Sequence, residues 1–210
     1  MTRILTTTVA MTALFAFPAG AQTGNQTGVG NPAGMPPGTP KAAPGMPAPH
    51  QANQADRNFV RAATIGGMAE VELGKLAEQK GHSDAVKSFG QRMVQDHTKA
   101  NNRLAALAKA ADIPQPDALD DEHRAMHDQL MKLSGERFDD AYMRGQVTDH
   151  QKTAQLLEYE IGSGQDTALK SFASETLPIV LDHLQMAQDI LARMTGAAQQ
   201  ASGAPAPYNR

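Results

Sequence analysis

The chain has 210 residues, with 19 Lys and Arg against 22 Asp and Glu, a formal net charge of −3, no Cys, no Trp, three Tyr and six Phe. With charges mixed along every expected helix, this balance argues against a basic nucleic-acid face with aromatic platforms. Absence of cysteine rules out both disulfides and a lipidated cysteine, so stability must come from buried apolar area.

Met1-Thr2-Arg3 places one positive charge before an apolar run from Ile4 to Phe17, followed by Pro18 and Ala19-Gly20-Ala21. This is the three-part layout of a secretory signal and predicts a signal peptide over residues 1–21, export and a periplasmic location. Cleavage would remove Arg3 and leave a net charge of about −4. The run is shorter than the roughly 20 residues that cross a bilayer, and no later segment approaches that length, so no transmembrane anchor is expected.

Residues 22–54 are rich in Gly, Pro, Ala, Thr and Asn, as in Gly34-Met35-Pro36-Pro37-Gly38, and carry no regular apolar spacing. Such a segment buries too little surface to offset its ordering entropy and reads as a disordered tether. Its Met35, Met46 and His50 read as incidental to the low-complexity sequence. Residues 196–210 share the composition and read as a disordered tail.

Residues 55–195 have the size of one domain, and apolar residues recur there at helical spacing with no strand-like alternation. The fold class is therefore all-α. A first helix is expected from near Asp56 to Lys80-Gly81, with Phe59, Ala62, Gly66, Ala69, Leu73 and Leu76 inward. Ser83 then caps a second helix to Ala111, with an inward seam of Val86, Gly90, Met93, His97, Ala100, Leu104 and Leu107.

Ile113-Pro114-Gln115-Pro116 breaks the chain before a short acidic helix from about Asp117 to Leu133, ended by Ser134-Gly135. A third long helix spans Glu136 to Ile161, with Met143, Val147, His150, Ala154 and Leu157 inward. After Gly162-Ser163-Gly164, the last runs from Asp166 to Met194 with Val180, His183, Ala187 and Ile190 inward. Pro178 should kink or loosen it. Two long hairpins joined by a connector that holds its own helix allow a crossover bundle in which the second and third long helices run parallel.

A tetrad occurs three times: Val94-Gln95-Asp96-His97, Val147-Thr148-Asp149-His150 and Val180-Leu181-Asp182-His183. Each histidine falls in an inward stripe, and each aspartate sits about 100° away. The first helix offers Glu70 and Glu72 instead. His97, His150, His183 and Glu70 form a set that could bind a divalent transition metal, with Asp96, Asp149, Asp182 and Glu72 as supporting groups.

A second reading stands beside it: each histidine makes a core hydrogen bond, and the aspartates fix helix register. Repetition does not decide between them. Ala85-Val86-Lys87-Ser88-Phe89 recurs as Ala168-Leu169-Lys170-Ser171-Phe172, so duplication of a packing motif would also repeat the tetrads. Measured from the turns, His97 and His150 fall at similar heights, whereas His183 is expected up to about 10 Å away, too far for one ion to take all three.

Weaker candidates are His123 and His127, four apart on a solvated acidic helix, and the helical methionines, which read as core filler. No nucleophile arrangement or phosphate loop is present. Gly66-Gly67 is expected to let a second helix approach closely.

Glu70-Val71-Glu72-Leu73-Gly74-Lys75-Leu76-Ala77, Met93-Val94-Gln95-Asp96-His97-Thr98-Lys99-Ala100-Asn101 and Leu177-Pro178 followed by His183-Leu184 resemble an exported bacterial family, domain of unknown function 4142. The resemblance covers about Asp56 to Met194 and implies a ferritin-like four-helix bundle without an agreed activity. Ferritin-like di-iron sites carry Glu three residues before His. Here Val94, Val147 and Val180 stand there, so the resemblance does not carry over oxidase chemistry.

Two functional readings remain open. In one, an exported, non-enzymatic bundle binds a protein partner or protects the envelope under stress. In the other, a periplasmic metal-binding protein stores or scavenges its ion through inward His and Glu residues.

Overall fold

In a computed structural model, residues 51–202 are described, with side chains through residue 196. Five helices make up the fold, and no strand occurs among the described residues: α1 (Gln54–Lys80), α2 (Asp84–Ala110), α3 (Asp121–Met131), α4 (Glu136–Ser163) and α5 (Thr167–Ser202). The expected signal peptide, most of the tether and the end of the tail lie outside the described residues. α5 runs past its expected end at Met194 and continues through Pro178 without a break in the helix.

Local chemistry sets the helix ends. Asn53 and Asp56 form a reciprocal capping box at the start of α1, and Ser83 accepts from Val86 N–H at the start of α2. α2 stops in a six-to-one turn: Ile113 N–H donates to Ala108 C=O and Asp112 N–H to Lys109 C=O, with Asp112 at φ 52°. Ile113 is thereby folded back into the core cluster that contains Ala108. This is the hydrophobic contact that accompanies such caps.

Three hydrogen-bonded junctions define the chain direction. Asp139, near the start of α4, accepts from His82 N–H at 2.8 Å and Ser83 N–H at 2.9 Å, in the α1–α2 turn. At the opposite end, Asn53 donates to Ser163 C=O, and Asp56 accepts from Gln165 and Asp166 N–H groups. The α1–α2 turn and the start of α4 therefore share an upper end, while the start of α1 and the α4–α5 turn share a lower one. α1 and α5 run up, α2 and α4 run down, and the segment carrying α3 returns the chain to the top.

Two apolar clusters fill the bundle. The lower includes Phe59, Leu104, Leu157, Leu169, Phe172 and Val180, and the upper includes Leu73, Phe89, Met93, Phe138, Tyr142 and Met143. Burying each large side chain contributes about 1.5–3 kcal/mol, so these halves hold the fold together without disulfides.

The backbones of α1 and α2 approach closely at Gly74 and Gly90. A Cβ added to Gly74 would lie 2.8 Å from Gly90 O, and one added to Gly90 would lie 2.7 Å from Gly74 O. Of the pair Gly66-Gly67, where a close helix approach is expected, only Gly67 meets the neighbouring helix α2. Gly67 makes room for the Asn101 side chain, and Gly66 faces open space. Ala62, expected inward, is exposed because the inner face of α1 turns through Phe59, Val60 and Ala63 instead.

Candidate metal centre

Buried polar side chains gather in mid-bundle: Glu70 from α1, His97 from α2, Gln146 and His150 from α4, and His183 from α5. His150 and His183 are each 1% exposed and His97 is 9% exposed. Their ring centroids stand 5.4–5.7 Å apart. One nitrogen from each ring lies within 4.8 Å of the other two. Among the described residues this is the one group of three or more potential metal-ligating side chains so placed.

The expected separation of His183 is not found. His150 lies 13 residues before the end of α4, His97 lies 13 before the end of α2, and His183 lies 16 after the start of α5. At 1.5 Å per residue these positions are about 20, 20 and 24 Å above the lower end. Side chains lean toward their own helix N-terminus. His97 and His150 therefore lean up while His183 leans down, and the remaining difference closes.

For two of the three rings the free nitrogen follows from a bond made elsewhere. His150 Nδ1 donates to Gln146 C=O at 2.9 Å, four residues back on the same helix. His183 Nε2 donates to Asp96 Oδ2 at 2.9 Å across the α2–α5 contact. His150 Nε2, His183 Nδ1 and His97 Nε2 are buried with no hydrogen-bond partner. Buried polar atoms are nearly always paired, so three orphaned imidazole nitrogens in one cluster call for a ligand.

Electrostatics keep those nitrogens unprotonated. Burial, and then the neighbouring His150 and His183, push His97 down to about 3. Burial also lowers His150 and His183, against the pull of Gln146 C=O and of Asp96 respectively. Desolvation opposes ionisation of Asp96, but bonds from Arg92 and His183 outweigh it and hold its carboxyl below the ordinary value. A carboxylate or carbonyl behind an imidazole is the arrangement that orients a metal ligand and raises its basicity.

Glu70 stands beside the cluster. Its Oε1 is 3.8 Å from His150 Nδ1, the nitrogen already engaged by Gln146 C=O, and its Oε2 accepts from Gln146 Nε2 at 2.9 Å. Burial pushes its carboxyl up to about 8. The sequence reading missed Gln146, although its spacing of four from His150 places it on the same face.

The three aspartates of the repeated tetrads have unequal surroundings. Asp96 bonds His183 of another helix, Asp149 is half-buried with its carboxyl raised by burial, and Asp182 is exposed. Glu72 is also exposed on α1. On α3, His123 pairs with Asp120 at 2.6 Å and His127 lies 3.6 Å from Asp128, and neither belongs to the imidazole group.

Fold and site together define an all-helical bundle whose core holds a layer of three buried imidazoles between two apolar halves. The chain belongs to the family described as Domain of unknown function (DUF4142), which matches residues 41–190. Similar solved structures include a DUF305 fragment from Deinococcus radiodurans, at 14% identity and TM-score 0.62, covering 70% of this chain and 99% of that one. A putative secreted DUF305 protein from Streptomyces coelicolor is similar at 14% identity and TM-score 0.58, covering 74% of this chain and 98% of that one. At such identity the likeness shows the fold alone. No curated protein matches the sequence. No described helix is long and apolar enough to cross a membrane.

Proposed function

We propose that this protein binds a divalent transition-metal ion through His97, His150 and His183, as a non-enzymatic metal-binding bundle of the bacterial envelope. The observation that carries the reading is a cluster of three buried imidazoles, each with an unpartnered nitrogen, in which one ring nitrogen of each lies within 4.8 Å of the other two. The competing view, in which each histidine is a satisfied core residue, leaves those nitrogens unexplained. Three neutral nitrogen donors without thiolate suit zinc, copper, iron or nickel, and three imidazoles with one further donor is a recurrent zinc arrangement.

Asp96 and Gln146 orient two of the rings, and the buried Glu70 carboxyl stands 3.8 Å from His150 Nδ1. The secretory layout of the first residues supports a periplasmic location, where a storage or scavenging role fits a buried site. The up-down-down-up chain path supports membership of the ferritin-like bundles. Valine three residues before each histidine separates it from their di-iron members.

Elemental analysis of protein purified without a His-tag tests the reading. One ion per chain is expected, and it should be lost in both His97→Ala and His150→Ala. The metal-free protein should gain roughly 2.7 kcal/mol of stability when the ion is supplied at a hundred times its Kd. Protein that melts unchanged after addition of zinc, iron, copper or nickel would exclude the site.

A further inference from the structure

A cavity of about 190 Å³ lies in the lower half of the bundle and reaches the imidazole layer. Its inner wall includes Glu70 and His97, and it is bordered toward α3 and α4 by Glu122, His123, Asp149 and Lys152. Small residues on α1 border its side, including Gly66, where a Cβ would meet nothing within 4 Å. His97, more than nine-tenths buried with Nε2 unpartnered, faces this space, whereas His150 and His183 do not border it.

We infer that this cavity is the route by which a divalent cation reaches the three imidazoles, with Asp149 drawing it inward and His97 as the first ring it meets. The inference rests on the metal reading above. Along the bundle axis the layer is closed by the apolar clusters above and below it, which would strip a hydrated cation of water without replacing its ligands. The cavity wall is mixed: Leu104, Leu157, Phe172 and Val180 of the lower cluster line it, but Glu70, Asn101, Glu122, His123 and Asp149 line it too and offer a cation oxygen and nitrogen groups. Lys152 is engaged by Glu122 at 2.7 Å, which tempers its repulsion of a cation. Asp149 and His123 at the border and Glu70 on the inner wall all line this one cavity.

The test follows cobalt(II) uptake and release by the metal-stripped protein in stopped flow, reading ligand-field absorbance. Gly66→Leu narrows the cavity without touching an imidazole, and Asp149→Asn removes the charge at unchanged size. Gly66→Leu should slow uptake and release together by about tenfold or more at unchanged affinity. Asp149→Asn should slow uptake by roughly tenfold at low salt, an effect that fades as salt rises.

Uptake at the wild-type rate in both variants overturns the route, as does lost affinity without slower uptake. If Gly66→Leu does not fold, Asp149→Asn decides alone by its rate and salt dependence. Wild-type protein that takes up no cobalt, zinc, copper, iron or nickel removes the metal reading and the route with it. Wild-type binding with unaltered rates in the variants removes the route only.

Discussion

His183 donates its Nε2–H to Asp96 Oδ2 across the α2–α5 contact, at 2.9 Å, and this single bond leaves Nδ1 as the ring's buried, unpartnered nitrogen. Asp96 is itself held by Arg92 one turn earlier on α2. The ring orientation on α5 is thus set from a neighbouring helix.

Asp96→Ala should therefore weaken metal binding without removing a ligand. Loss of a carboxylate behind an imidazole costs about 10–100-fold in affinity. A competition titration against a chromophoric chelator would measure it. Unchanged affinity would show that the Asp96 bond serves register alone.

Two glycines on α1 should respond to the same substitution with opposite signs. Gly74→Ala drives a methyl against Gly90 O at 2.8 Å, a backbone atom that cannot move cheaply, and should destabilise by about 1–3 kcal/mol. Gly66→Ala meets open space in a helix interior and should stabilise by roughly 0.5–1 kcal/mol. Urea midpoints at unchanged m value would report both.

Asp139 holds the top of the bundle. It is 2% exposed and accepts two backbone N–H groups of the α1–α2 turn, from His82 and Ser83. Asp139→Ala would leave both donors without that acceptor and should cost about 3 kcal/mol. Hydrogen exchange of those two amides should accelerate more than exchange at the lower end.

At the lower end, burial and the adjacent Asp56 push the Glu160 carboxyl up to about 8, against an ordinary value of 4.5. The folded chain then holds a proton that the unfolded chain has released, and Glu70 acts in the same sense. The carboxyl contribution to the stability of metal-free protein should accordingly fall as pH rises from about 4.5 toward 8. His97, depressed to about 3, has the opposite sign and withdraws stability as pH falls below 6.5. Between about pH 6.5 and 8 the carboxyls govern the slope. Glu160→Gln should flatten it in denaturant melts, and an unchanged slope would rule out Glu160 as its source.

Helices were legible from the sequence because burial on one face imposes a local period. Asn53 is absent from that reading, yet Ser83, Gly135 and the Pro114–Pro116 break stand at the helix limits, since caps and prolines act over a few residues. The inward positions of His97, His150 and His183 followed from the same period. By itself, then, the sequence determined an all-helical bundle, its long connector and which faces turn inward.

Only the tertiary structure decided which inward groups meet. Axial height depends on how whole helices are docked, and a half-turn error in each of two helices exceeds the size of a metal site. Antiparallel lean brings His183 to the level of His97 and His150, and the six-to-one turn at Asp112 starts the connector toward the other end. The three tetrads read alike in sequence, but Asp96 reaches a foreign histidine, Asp149 borders a cavity and Asp182 meets solvent. Local spacing specifies a face; the partner across that face is specified by packing between segments far apart in the chain.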